Sequence, residues 1–236
     1  MDLIFERMPA TLELVAVAAC LVLCIAIPLG VYAGAYPKRA SSKLIMSGSI
    51  LGISLPSFWV GMMMIYIFAV VLRLLPASGR GNTVMVGNVA LSIFAPGGIR
   101  YVILPAITLA LTNVATMLRL TRSGILENMR QDYIKFARAK GVPAKSILFG
   151  HALKNALIPV VTIFGMDMGN MIAFTTITET IFAWPGMGKL LIDAINKSDR
   201  PIIVAYLMAA ACMFVVLNFI VDILYTLIDP RIELRL

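Results

Sequence analysis

The chain has 236 residues, 60% of them hydrophobic and only 14% charged, with a mean hydropathy of +0.93; soluble domains carry roughly 25% charge. Its net charge of +8 lies between apolar runs, where it sets topology rather than attracting nucleic acid. Several runs exceed the roughly 20 residues that cross a bilayer as a helix, and the short alternating segments of a membrane barrel are missing, so the expected class is an all-α polytopic membrane protein.

Five spans are expected, over residues 10–36, 44–75, 101–120, 156–182 and 201–228 of one transmembrane domain covering 1–236. The first ends at Pro37-Lys38-Arg39. The second is long enough to be tilted or broken. Its Ser54-Leu55-Pro56-Ser57 places a residue without a backbone donor inside a helix, which kinks it. Residues 76–98 read as a loop carrying Gly79, Gly81, Gly87, Gly97 and Gly98. The third span continues as a polar helix to Arg130. Cys20, Cys24 and Cys212 all fall in apolar runs, so they read as small buried hydrophobes rather than a disulfide framework or zinc site.

Thirteen of the twenty Lys and Arg fall on one side: Lys38, Arg39, Lys43, the group from Arg119 to Lys154, Arg231 and Arg235. The positive-inside rule makes that side cytoplasmic. Residues 1–8, the glycine-rich loop and residues 182–200 are then outside, and the C-terminus is inside. An N-terminus outside without a signal peptide raises the expectation of a further span upstream.

Residues 131–154, QDYIKFARAKGVPAKSILFGHALK, form a basic island between the third and fourth spans. It is too small for a domain and longer than a plain connection. Gly141 suits the position after a helix over 131–140, and Pro143 suits the first turn of a second short helix over 144–153. Ile134, Ala137 and Val142 are spaced to pack on the membrane domain, while Lys135, Arg138 and Lys145 face water or a partner. Either the island docks a cytosolic protein or it lies as an amphipathic helix against lipid headgroups.

Within the spans, Asp167 is costly at mid-depth and belongs on a protein interior or water path. Asn170 lies about one turn away, so both are candidates for a translocation pathway. An interhelical hydrogen bond that fixes packing is the other reading. Gly165 and Gly169 form a small-xxx-small pair suited to helix packing. Glu13, Glu179 and Asp222 lie nearer span ends and are expected to anchor or pair. Gly186-Met187-Gly188-Lys189 lacks the earlier glycine and the following Ser/Thr of a phosphate loop. His151 is the single histidine, so no histidine-based metal cluster exists, and no nucleophile–base pair is evident.

The segment 137–159 resembles the cytoplasmic loop of ABC importer permeases. More closely, Asp132-Tyr133-Ile134, Ala137-Arg138-Ala139-Lys140-Gly141 and the run from His151 to Pro159 resemble the dipeptide/oligopeptide/nickel permease family. Pro9 to Leu14, Gly52 to Trp59, Leu75 to Gly79, Ile103 to Ala106, Phe182 to Gly188 and Asp229-Pro230-Arg231-Ile232 match it as well. Departures exist: Lys135 stands at the family's glutamate and Lys154 at its final proline. The resemblance begins at Pro9, where the family opens its second span, which again implies a chain shortened at its N-terminus.

The resemblance implies a MetI-like permease fold. It also implies coupling to an ATPase through Lys135, Ala137, Arg138, Ala139, Lys140, Gly141, His151 and Leu153. Trp184, Pro185, Gly186 and Gly188 would belong to a re-entrant scoop on the outer side of the pathway. The implied partners are a homologous permease subunit, two cytoplasmic ABC ATPase subunits, an extracytoplasmic substrate-binding protein and membrane lipid. ATP and magnesium would sit on the partners, with no cofactor on this chain and no nucleic acid. The implied location is a bacterial or archaeal cell (inner) membrane, and the cargo di- or oligopeptides, with nickel or glutathione as alternatives. A stand-alone secondary transporter would need a coupling-ion site and an internal repeat, and neither is visible.

Overall fold

The computed structural model describes residues 2–87 and 89–228. The backbone is helical almost throughout, because a spanning segment must satisfy its own amides and carbonyls. Helix α1 covers Asp2–Ala35, α2 Ala40–Ser54 and α3 Ser57–Met64, the last continuing as a π-helical stretch over Ile65–Val71. Strands β1 (Val84–Val86) and β2 (Val89–Leu91) follow, then α4 (Ile99–Asn128) and α5 (Asp132–Ala139). Next come α6 (Ala144–Ser146), a π-helical turn over Ile147–Ala152, α7 (Leu153–Ile181), α8 (Met187–Asn196) and α9 (Arg200–Ile228). Four helices are long and apolar enough to cross a membrane, or five if the α2–α3 pair counts as one broken span.

Several expectations are refined. The first helix begins at Asp2, eight residues before the expected span, because Ile4 is buried against Met187 and Tyr206. The second span is sharply broken, with α2 and α3 meeting at 105°. Pro56, at φ −61 and ψ 134, sits extended between them; it lacks a donor and its ring disfavours a helical Leu55. The glycine-rich loop contains an antiparallel hairpin with Val84 opposite Leu91 and Val86 opposite Val89, its first strand leading into a turn at Gly87 with φ +63. The separate helix expected over 144–153 is the opening of the fourth spanning helix, which is continuous over Ala144–Ile181. Asp229-Pro230-Arg231-Ile232 and the side chain of Asp222 lie outside what is described.

The chain divides into two compact units. The first comprises Met1–Leu21, Leu55–Leu111 and Met168–Asn218. Its core includes Leu14, Leu104, Phe182, Trp184 and Met187, all under 2% exposed. Gly61 lets α3 approach α4, since a Cβ there would meet Thr108 at 3.2 Å, and Gly169 leaves room for the ring of Phe214.

The second comprises Val22–Ser54, Thr112–Asp167 and Phe219–Leu236. Its core gathers Val31, Ile125, Ile134, Ile147, Ala152 and Ala156. Here α1 and α4 touch backbone to side chain. A Cβ on Gly30 would lie 2.6 Å from Thr121, and one on Gly34 would lie 2.7 Å from Ile125. The Gly30-x-x-x-Gly34 spacing thus works as a small-residue contact.

Candidate functional site

The basic island forms one surface within the second unit. Helix α5 ends in a Schellman motif, which satisfies carbonyls that a helix end otherwise leaves bare. The Gly141 amide donates to Arg138 O at 3.0 Å and the Val142 amide to Ala137 O at 3.1 Å. Gly141 takes φ +77, a left-handed conformation that glycine adopts without a Cβ clash. Ile134 is fully buried in the Ile125–Ile147 cluster, and Ala137, Val142 and Leu153 pack around it half-buried.

The opposite face is open. Lys135, Arg138, Ala139, Lys140 and His151 are all exposed, as are Tyr133 and Phe136. The Lys140 ammonium lies 4.5 Å from the Phe136 ring centre, and Lys135 pairs with Asp132 at 2.7 Å. The hydrogen bond and charge of Lys135 hold the Asp132 carboxyl below its ordinary range. Tyr133 fastens the helix to its neighbours: its hydroxyl donates to Asn128 Oδ1 at 2.8 Å and accepts from Asn155 Nδ2 at 3.0 Å. Asn128 in turn donates to Gly124 O at 2.8 Å. The surface is therefore cationic and aromatic, without catalytic geometry, on a helix tied to α4 and α7.

A second constellation lies in the first unit, around the turn between α7 and α8. Trp184 is fully buried, and its indole N–H donates to Ala10 O at 2.9 Å. Its amide donates to Glu179 O at 2.8 Å, a return made possible by Ala183 at φ 45. Glu179 is itself fully buried. Its carboxylate accepts from Thr11 Oγ1 at 2.6 Å and from the Lys189 amide at 2.9 Å, while Thr11 Oγ1 accepts from the Met187 amide at 2.8 Å. A Cβ on Gly186 would run into the Glu179 carboxylate, and one on Gly188 would meet Thr176 at 2.5 Å. Pro185, just before them, is half-buried.

Glu13 plays the matching role for the hairpin loop. It accepts from Arg80 Nε at 2.9 Å, the Ser92 amide at 2.6 Å and the Ile93 amide at 2.7 Å. Arg80 also donates to Ala90 O at 2.6 Å, and its guanidinium carbon lies 5.7 Å from the Trp184 ring centre. The partners Thr11, Arg80 and Ser92 escaped sequence reasoning. Their traces were a threonine beside Glu13 in an apolar run and an arginine flanked by Gly79 and Gly81.

The pathway candidates are less defined. Asp167 is half-buried and Asn170 exposed, and neither makes a side-chain hydrogen bond or ion pair among the described residues. Gly165 is buried.

Helices long and apolar enough to cross a membrane, with a short helix between two of them that exposes a cationic and aromatic face, define a multi-pass membrane protein. A model of the family described as binding-protein-dependent transport system inner membrane component matches residues 26–234. The oligopeptide transport system permease protein AppB of Bacillus subtilis (strain 168) is 41% identical over 232 residues, covering 98% of this chain and 72% of that one. The di/tripeptide transport system permease protein DppB of Pseudomonas aeruginosa (strain UCBPP-PA14) is 40% identical over 237 residues, covering 95% and 70%. Among solved structures, the inward-facing MetNI methionine ABC transporter shares the fold with a TM-score of 0.74 at 14% identity, over 97% of each chain. The chain belongs to the binding-protein-dependent transport system inner membrane component family. It is a multi-pass permease subunit of an ABC importer in the cell membrane, a transport component rather than a catalytic one.

Proposed function

We propose that this permease carries di- or oligopeptides, and that the surface spanning residues 131–154 docks a cytoplasmic ATPase. The cargo reading is supported by relatives named as oligopeptide and di/tripeptide permeases at about 40% identity over nearly the whole chain. The docking reading is carried by one observation: a cationic, aromatic face exposed on a short helix whose other face is cemented by Ile134.

The whole chain acts as one transmembrane domain forming half of a pathway, with a homologous permease as the other half. Two ATPase subunits hold ATP and magnesium, and a binding protein delivers cargo to the outer loops. ATPase closure pushes α5. The push enters α4 and α1 through Ile134, Ile125 and Val31, and enters α7 through the helical stretch that leads into it from Ala144. Asp167 and Asn170 line the path, and the turn from Trp184 to Gly188 forms its outer scoop.

The test is uptake of labelled di- and tripeptides, glutathione and nickel in a strain deleted for this chain and complemented with it. Peptide uptake restored by complementation supports the reading, and restoration of nickel or glutathione uptake alone overturns the cargo. Independently, site-directed cross-linking from a cysteine at position 138 must capture an ATPase subunit.

A further inference from the structure

Within the second unit, a largely apolar cavity of about 470 Å³ opens between the last turns of α1 and the start of the fourth spanning helix. Tyr32, Tyr36, Met129, Leu148 and Phe149 line it, with Lys145 at its edge and no acidic residue in its wall. The Arg39 guanidinium lies 4.3 Å from the ring centre of Tyr36, and the Tyr32 hydroxyl is hydrogen-bonded to Ser41 Oγ at 2.8 Å. Arg39 and Lys145 are both exposed.

The cavity's depth in the membrane follows from the chain. Tyr36 is followed directly by Pro37-Lys38-Arg39, the cationic end of the first span, and tyrosines mark the boundary between hydrocarbon and headgroups. An apolar slot at that level, with cations and hydroxyls at its mouth, has the two halves of a lipid site. The slot accepts an acyl chain and the rim accepts a phosphodiester. A neutral lipid gains only the first half, and a soluble anion only the second.

We propose that this cavity holds one anionic phospholipid of the cytoplasmic leaflet, its phosphate on Arg39 and Lys145 and an acyl chain against Tyr36, Leu148 and Phe149. The site stands on the orientation of the spans and is independent of the cargo. It sits beside the helix start that ATPase closure would move, so an occupied site braces α1 against that segment.

The experiment reconstitutes the transporter, purified with its partner subunits, in nanodiscs of phosphatidylcholine and phosphatidylglycerol. Lipid retained after transfer to detergent is counted by native mass spectrometry. Phosphatidylglycerol is retained over phosphatidylcholine, and a wash with inorganic phosphate does not displace it. Lys145→Gln and Arg39→Gln each lower its retention about fivefold, and Lys145→Arg restores it. Ala35→Trp, which fills the slot without touching a charge, abolishes retention in complexes that remain intact by size exclusion. Equal retention of the two lipids, displacement by phosphate, or retention unchanged in both Lys145→Gln and Ala35→Trp overturns the proposal. Cross-linking of a cysteine at position 149 to a partner subunit, with no lipid retained, also overturns it and makes the cavity a protein interface.

Discussion

Gly186 is a glycine for want of space rather than for backbone freedom. Its φ of −95 is open to any residue, yet a Cβ would occupy the place of the Glu179 carboxylate. Gly186→Ala is expected to lower the stability of the assembled transporter by about 1–3 kcal/mol, the usual range for overpacking, read as a fall in melting temperature. Gly150 has open space around its missing Cβ, so Gly150→Ala is the matched control and should leave melting unchanged or raised. The Glu13–Arg80 pair gives the second prediction at this scale. With side chains 2% and 10% exposed, removing one partner leaves the other charge buried. Arg80→Ala should cost about 3–5 kcal/mol, and Arg80→Ala with Glu13→Gln should cost less than Arg80→Ala alone. Equal losses in the two variants would show that the charge on Glu13 is not what matters. The anchoring role of Glu13 and Glu179 was readable from charges near span ends. Their partners were not, because they lie 67 and 168 positions away in sequence, and a threonine in an apolar run has many ordinary uses.

Among the elements, α5 was the most legible, because a helix-forming run followed by glycine leaves few alternatives. Gly141→Pro is expected to leave membrane insertion intact and to abolish ATP-driven uptake. Proline cannot take φ +77 and also lacks the amide that bonds Arg138 O. Gly141→Ala should weaken coupling only partly, since alanine in the left-handed region costs about 1–2 kcal/mol. Uptake at the wild-type rate in both would remove α5 from the coupling path. The Lys135–Asp132 contact is a lesser matter. Its depressed carboxyl contributes above the ordinary aspartate range, and that contribution fades as pH falls through the folded value; both groups are highly exposed, so solvent screens them. The stretch 144–153 reads in sequence as a separate short helix because Pro143 suits a first turn and the long apolar run begins only after it. The burial of Ile147, Ala152 and Ala156 carries the helix through it. The hairpin escaped notice because its strands are three residues each and carry no alternation strong enough to separate them from a loop.

For the whole molecule, a helical chain of four or five spans was legible in hydropathy, while the geometry at Pro56 was not. A proline announces a kink, but an angle of 105° depends on what the two arms pack against. Pathway lining is likewise a property of the assembly. A cysteine placed at position 167, in a background without Cys20, Cys24 and Cys212, is expected to react with a small water-soluble thiol reagent, and its rate should change when the ATPases are trapped with nucleotide. Inertness in every state would assign Asp167 to helix packing. Of the four helices that are each long enough to cross alone, α9 is the least covered by the rest of the chain.

The seam at Gly30 and Gly34 bears on stiffness. Two helices separated by leucines can accommodate a small push by changing rotamers, so part of a displacement is absorbed between them. At this seam there is no such cushion, because Gly30 meets Thr121 and Gly34 meets Ile125 with no side chain of its own to yield. If α5 is pushed as proposed above, a load delivered through it to Ile125 reaches α1 with little elastic loss. That low compliance would let the proposed docking helix act on a span whose sequence lies about a hundred residues earlier.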